Sequence, residues 1–77
     1  MLTITLPAPA TVTAAKLNVR EGPGTQYGVL GRLEAGDMVT VTETAGDSWV
    51  VIEYLELIDG DFEPRQGYVF KKFLSFL

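Results

Sequence analysis

The chain has 77 residues, a net charge of −4 from ten acidic and six basic side chains, 47% apolar residues, and neither cysteine nor histidine. That composition fits one small domain, and it excludes disulfide staples, histidine- or cysteine-ligated zinc and the lysine/arginine surface that nucleic acid or anionic lipid requires. No apolar run is long enough to span a bilayer, and the opening "MLTITLPAPA" has neither the basic start nor the apolar stretch of a signal peptide, so the compartment is left open.

In chain order, Leu2, Ile4 and Leu6 alternate with Thr3 and Thr5, which predicts a half-buried extra N-terminal strand. Pro7 and Pro9 should end it, leaving "PAPA" as an extended connector, so residues 1–10 read as an extension and 11–77 as the domain proper. Thr11 to Arg20 reads as extended chain and is followed by the turn Gly22-Pro23-Gly24. Val29 to Leu33 is a strand and "LEAGD" a turn. Met38 to Thr44 is the clearest strand, with Val39 and Val41 facing one way and Thr40 and Thr42 the other. "AGDS" is a hairpin turn, Trp49 to Leu57 a long strand, "IDGDFEPRQG" a polar loop and Tyr68 to Phe70 a short closing strand. Short strands separated by regular turn signals predict an all-β barrel or sandwich.

Several residues carry chemistry worth weighing. The Gly22-Pro23-Gly24 turn lacks a following helix, and Pro23 has no N–H, so it is read as a change of direction in which glycines take dihedrals closed to other residues, rather than as a phosphate cradle. Arg20 can fork onto a ligand carboxylate or pair with Glu21 or Glu34. Trp49 and Tyr68 offer flat contact surface or core packing. Asp59, Asp61 and Glu63 lack the ligand pattern of a calcium loop and read as a solvated tip. Ser48 and Ser75 have no histidine to activate them, and Glu53 and Glu56 have no deep cleft to work in, so no enzyme, metal or cofactor is expected. The apolar surplus is informative: Trp49, Val51, Leu55 and Leu57 share one face of the long strand, while Val50, Ile52 and Tyr54 share the other. Both faces are greasy, as are both chain ends.

The ordered set "LNVREGPG" (Leu17 to Gly24), "VLGRLEAGDMVTV" (Val29 to Val41), Trp49 opening the next strand, and "GYV" (Gly67 to Val69) before "KKFL" resembles the bacterial SH3 (SH3b) family. The resemblance implies an SH3-like barrel of five to six strands. It also implies a non-catalytic recognition module, often attached to cell-wall hydrolases and binding peptidoglycan peptides or other proteins. In such modules the loop equivalent to Gly22–Tyr27 flanks the ligand site, which makes Glu21, Thr25, Gln26 and Tyr27 rim candidates beside Arg20, Trp49 and Tyr68. The chain departs from the family in the longer segment between Trp49 and Gly67, an extended hairpin, and in carrying no hydrolase. The alternative is a structural or assembly subunit, bacterial or phage, that forms a homo-oligomer through its apolar termini and a strand edge.

Overall fold

A computed structural model describes residues 5–77. The alternation at Leu2 and Ile4 lies outside these residues. Seven strands follow in order: β1 (Ala8–Val12), β2 (Lys16–Arg20), β3 (Val29–Glu34), β4 (Met38–Ala45), β5 (Trp49–Ile58), β6 (Asp61–Phe70) and β7 (Leu74–Phe76), with a single 3₁₀ turn at Lys71–Phe73 before the last. They form one antiparallel sheet of order β3-β2-β6-β5-β4-β1-β7. The sheet curls over a single core, as an SH3-like barrel does.

The period of two explains which face the curl encloses. Val39 and Val41 of β4, Val50 and Ile52 of β5, Val19 of β2 and Val69 of β6 are all essentially inaccessible to solvent. β-branched side chains dominate this core because they fit a pleated, half-buried surface. No polar or charged side chain is buried with them among the described residues. The Tyr54 ring closes one end of the core, and its hydroxyl stands close against Gly31 of β3. Burial raises the Tyr54 pKa above its ordinary value, Glu56 adds to the rise and Arg65 opposes it. The native state therefore keeps the phenol neutral where the unfolded chain ionises it. Stability supplied by Tyr54 is complete below about pH 10 and is lost as pH rises through the raised native value. Urea midpoints are expected to fall between about pH 9 and about pH 11, and Tyr54→Phe to flatten that fall.

Three sequence expectations are corrected. "PAPA" is not a connector: Ala8 to Thr11 pair with β4, and β1 also carries β7 on its other side. Pro9 is tolerated because its carbonyl accepts the Leu77 N–H at 3.2 Å, at the very end of β7, where its missing N–H forfeits little. "IDGDFEPRQG" is not a loop either. Asp59 (φ 51°) and Gly60 (φ 85°) make a two-residue turn of the type that matches strand twist, and pairing runs from Ile58↔Asp61 to Trp49↔Phe70. The short closing strand is thus the end of a ten-residue one, and β5 and β6 form the extended hairpin that the sequence led us to expect. Finally, Gly22 and Gly24 do not take positive φ, which among glycines occurs at Gly36, Gly46 and Gly60. Gly22 is needed for space: a Cβ there would meet the Tyr27 ring at 2.5 Å.

The apolar C-terminal run packs within its own chain only in part, Phe73 and Leu77 being exposed. Leu74 and Phe76 lie against the core, as does Leu6 from the other end. The greasy second face of β5 divides in two. Val51 is buried, while Leu55 and Leu57 lie on the part of the β5–β6 hairpin that projects past the barrel. This projection lengthens the molecule to 44 Å against 28 and 21 Å in the other directions.

Candidate functional site

An apolar groove lies where the 21–28 loop meets the end of the β5–β6 ladder. One wall is aromatic. Trp49 opens β5 and Phe70 closes β6, and because the two are register partners their rings meet edge to face, with centroids 5.6 Å apart and planes at 78°. Phe73, from the 3₁₀ turn, continues the cluster at 5.6 Å from Phe70. That turn is held in place by the Lys71 N–H donating to the Ser48 carbonyl and the Thr13 N–H donating to the Phe73 carbonyl, at 2.8 and 2.9 Å. The cluster therefore rests on backbone from the β1–β2 and β4–β5 connections. Edge-to-face geometry is the favoured arrangement of such rings, and here it leaves part of each exposed.

The opposite wall is the 21–28 loop. The Glu21 N–H donates to the Gly28 carbonyl at 2.9 Å and closes the loop's base, while the Tyr27 N–H donates to the Gly24 carbonyl at 3.3 Å. Arg20 fastens the loop from beneath: its Nη1 donates to the Tyr27 carbonyl at 2.9 Å and to the Thr25 carbonyl at 3.2 Å. Neither Glu21 nor Glu34 pairs with Arg20, so the expected ion pair is replaced by a guanidinium holding backbone carbonyls. Gly24, Thr25 and Gln26 then face Trp49, Phe70 and Phe73 across a groove of about 500 Å³, with Leu17, Asn18 and Arg20 at its base. The Asn18 side-chain oxygen accepts from Arg32 Nε at 3.3 Å, which directs its amide nitrogen away from that contact. On the far side of Phe70, a second depression brings Lys71 and Lys72 together with Asp47 and Ser48.

Of the seven residues selected from sequence, Arg20, Thr25, Gln26 and Trp49 come together in the groove. Glu21 and Tyr68 line a separate depression with Glu43 and Gln66, on the other side of Arg20. Tyr27 lies outside both and packs its ring on Gly22, 42% exposed. The aromatics that sequence reasoning missed are Phe70 and Phe73. Phe70 stands two residues beyond Tyr68 on the same strand face, so the period of two carried from Tyr68 would have pointed to it. Phe73 gave no such signal, because the 3₁₀ turn that aims it was not foreseen.

The family model for the bacterial SH3 domain matches residues 15–75, from just before β2 into β7. The chain belongs to the bacterial SH3 family. Domains of this family are generally binding modules and typically not catalytic. In this bacterial SH3 domain the loop between β2 and β3 and the Trp49 end of β5 are the parts that build the groove. No curated protein and no solved structure matches the chain.

Proposed function

We propose that this bacterial SH3 domain is a non-catalytic recognition module that binds a peptide or protein in the groove between the 21–28 loop and the Trp49–Phe70–Phe73 cluster. The observation that carries the reading is the aromatic cluster itself. Three aromatic rings are left partly exposed on a well-anchored base, facing a loop that an arginine holds in shape. Rigid aromatic surface beside fixed polar groups is the composition of a binding hot spot. An apolar side chain of the ligand would rest on the rings, while the Gln26 and Asn18 amides would bond its backbone. Lys71 and Lys72, beyond Phe70, favour a ligand with an acidic group one or two residues away. Peptidoglycan stem peptides combine small apolar side chains with free carboxylates, and are the first ligands to try.

Titration with solubilised peptidoglycan peptides, read by amide NMR shifts and Trp49 fluorescence, is expected to move signals at Gly24 to Gln26, Trp49, Phe70 and Phe73. Trp49→Ala is expected to weaken binding by at least about thirtyfold, the size of a hot-spot loss. Trp49→Phe should retain most of it. Shifts confined to surfaces away from the groove would remove the reading.

A further inference from the structure

From Glu53 to Arg65 the β5–β6 hairpin holds five of the ten acidic residues and one of the six basic ones, a net charge of −4. The whole net charge of the chain therefore sits on this arm, and the rest of the sequence is balanced. The outer arm is a two-stranded ribbon: β4 pairs with β5 only as far as Thr40↔Glu53, and β2 meets β6 only at Arg20↔Tyr68. Register places Leu57 opposite Phe62 and Leu55 opposite Pro64, so these four share one face. Leu55, Leu57 and Phe62 are 63%, 61% and 68% exposed. An isolated hairpin gains nothing from an apolar face in water, and a flat acidic ribbon with such a face suits a partner that is apolar with cationic flanks.

The same chain carries that surface. The aromatic groove is apolar, and Lys71 and Lys72 lie just beyond Phe70. The arm cannot reach its own groove. Trp49 is at one end of β5 and Ile58 at the other, about 30 Å apart along a single rigid strand. Arm against arm sets −4 against −4, and groove against groove sets lysine against lysine, so the favourable pairing is arm to groove between copies. We propose that the hairpin arm docks in the aromatic groove of a second copy, with Leu57 and Phe62 resting on Trp49, Phe70 and Phe73, and the carboxylates of the turn, Asp59 and Asp61, beside Lys71 and Lys72. Donor and acceptor surfaces lie at opposite ends of each molecule. The contact therefore either closes as an antiparallel two-fold pair, each arm in the other's groove, or continues head to tail as a ring or an open row. This inference rests on the groove being a recognition site and names its occupant.

Sedimentation velocity on the full chain at low salt is expected to show mass rising with concentration, and falling again when salt is raised, because exposed charges are screened within about 10 Å at about 0.1 M. Leu57→Ser with Phe62→Ser, on the exposed arm, should leave a folded monomer, as should Lys71→Glu with Lys72→Glu beside the groove. Neither pair lies in the core, and circular dichroism checks that both fold. The decisive sample is the 1:1 mixture of the two variants. One intact groove and one intact arm remain, so a dimer is expected and nothing larger. A wild-type chain that stays monomeric at about 1 mM in low salt overturns the proposal, as does a mixture that forms no dimer or a variant that associates as wild type. The peptide titration keeps the two readings separate: a monomer whose groove still shifts with peptide retains the recognition module and loses only the self-docking arm.

Discussion

Gly67→Ala is expected to destabilise the barrel by about 1–3 kcal/mol, the usual cost of forcing a methyl into a packed core. Gly67 sits in β6 opposite Ile52, one residue before the single pair, Arg20↔Tyr68, that joins β2 to β6. A Cβ at this position would overlap Val19 Cγ1 and lie 3.2 Å from the Arg20 carbonyl oxygen, with Leu30 Cδ1 at 3.4 Å. Val19 has no accessible surface and nowhere to rotate, and the carbonyl is backbone. Relief would have to come from moving β2 away from β6, which would open the sheet where it is most weakly joined. In a domain of this length each kcal/mol shifts the melting temperature by roughly 4–8 °C, so a fall of several to some twenty degrees is expected in a thermal melt followed by circular dichroism. Gly28→Ala is the control. There the new methyl would approach the Glu21 carboxylate at 3.1 Å, an exposed side chain free to swing aside. Equal melting temperatures for both variants would show that the β2–β6 crossing has slack the geometry does not reveal.

Gly67 also marks the limit of what the residues alone disclose. In the sequence it is part of a family-like "GYV" and nothing more; its reason, the close crossing of β2, exists only once two strands separated by almost fifty residues meet. The same holds elsewhere. Alternation placed β4 correctly, because Val39 and Val41 obey a period of two that burial on one side enforces; on β5 it separated Val50 and Ile52 from Val51, Leu55 and Leu57 without choosing the core face. It failed wherever polar or proline-bearing chain was turned into strand by a neighbour. β1 forms around Pro9 because β4 and β7 supply its partners, and β6 runs through "DFEPRQ" because the Asp59-Gly60 turn fixes its register against β5. The hairpin itself was legible, but the run of charges after the two-residue Asp-Gly turn hid that pairing starts directly at Asp61. Of the groove, the loop and Trp49 were legible. Phe73 was not, since a residue aimed by a 3₁₀ turn has no periodic signature.

Arg20→Met is expected to lower peptide affinity about tenfold while changing global stability by only about 1 kcal/mol, because its two hydrogen bonds are exposed and yet shape the wall of the groove. Without the guanidinium, the 21–28 loop keeps the Glu21–Gly28 bond at its base and the longer Tyr27–Gly24 bond within it, and nothing holds the Thr25 carbonyl. Gly24, Thr25 and Gln26 would then sample positions away from the aromatic cluster, and a ligand would have to restore their order at its own cost. Hydrogen exchange of the amides from Glu21 to Gly28 is expected to speed up in the unliganded variant. Arg20→Lys tests the geometry of the staple. A single ammonium on a flexible stem does not reproduce a planar fork that reaches two carbonyls two residues apart, so affinity and exchange should fall between wild type and Arg20→Met. The two roles considered for this residue separate cleanly here. If Arg20 instead gripped a ligand carboxylate, the loss on substitution would vanish for a peptide lacking that carboxylate, and loop exchange would stay at the wild-type rate. A loss that persists for a neutral peptide and accompanies faster exchange assigns Arg20 to holding the groove's shape, with recognition left to Trp49, Phe70 and Phe73.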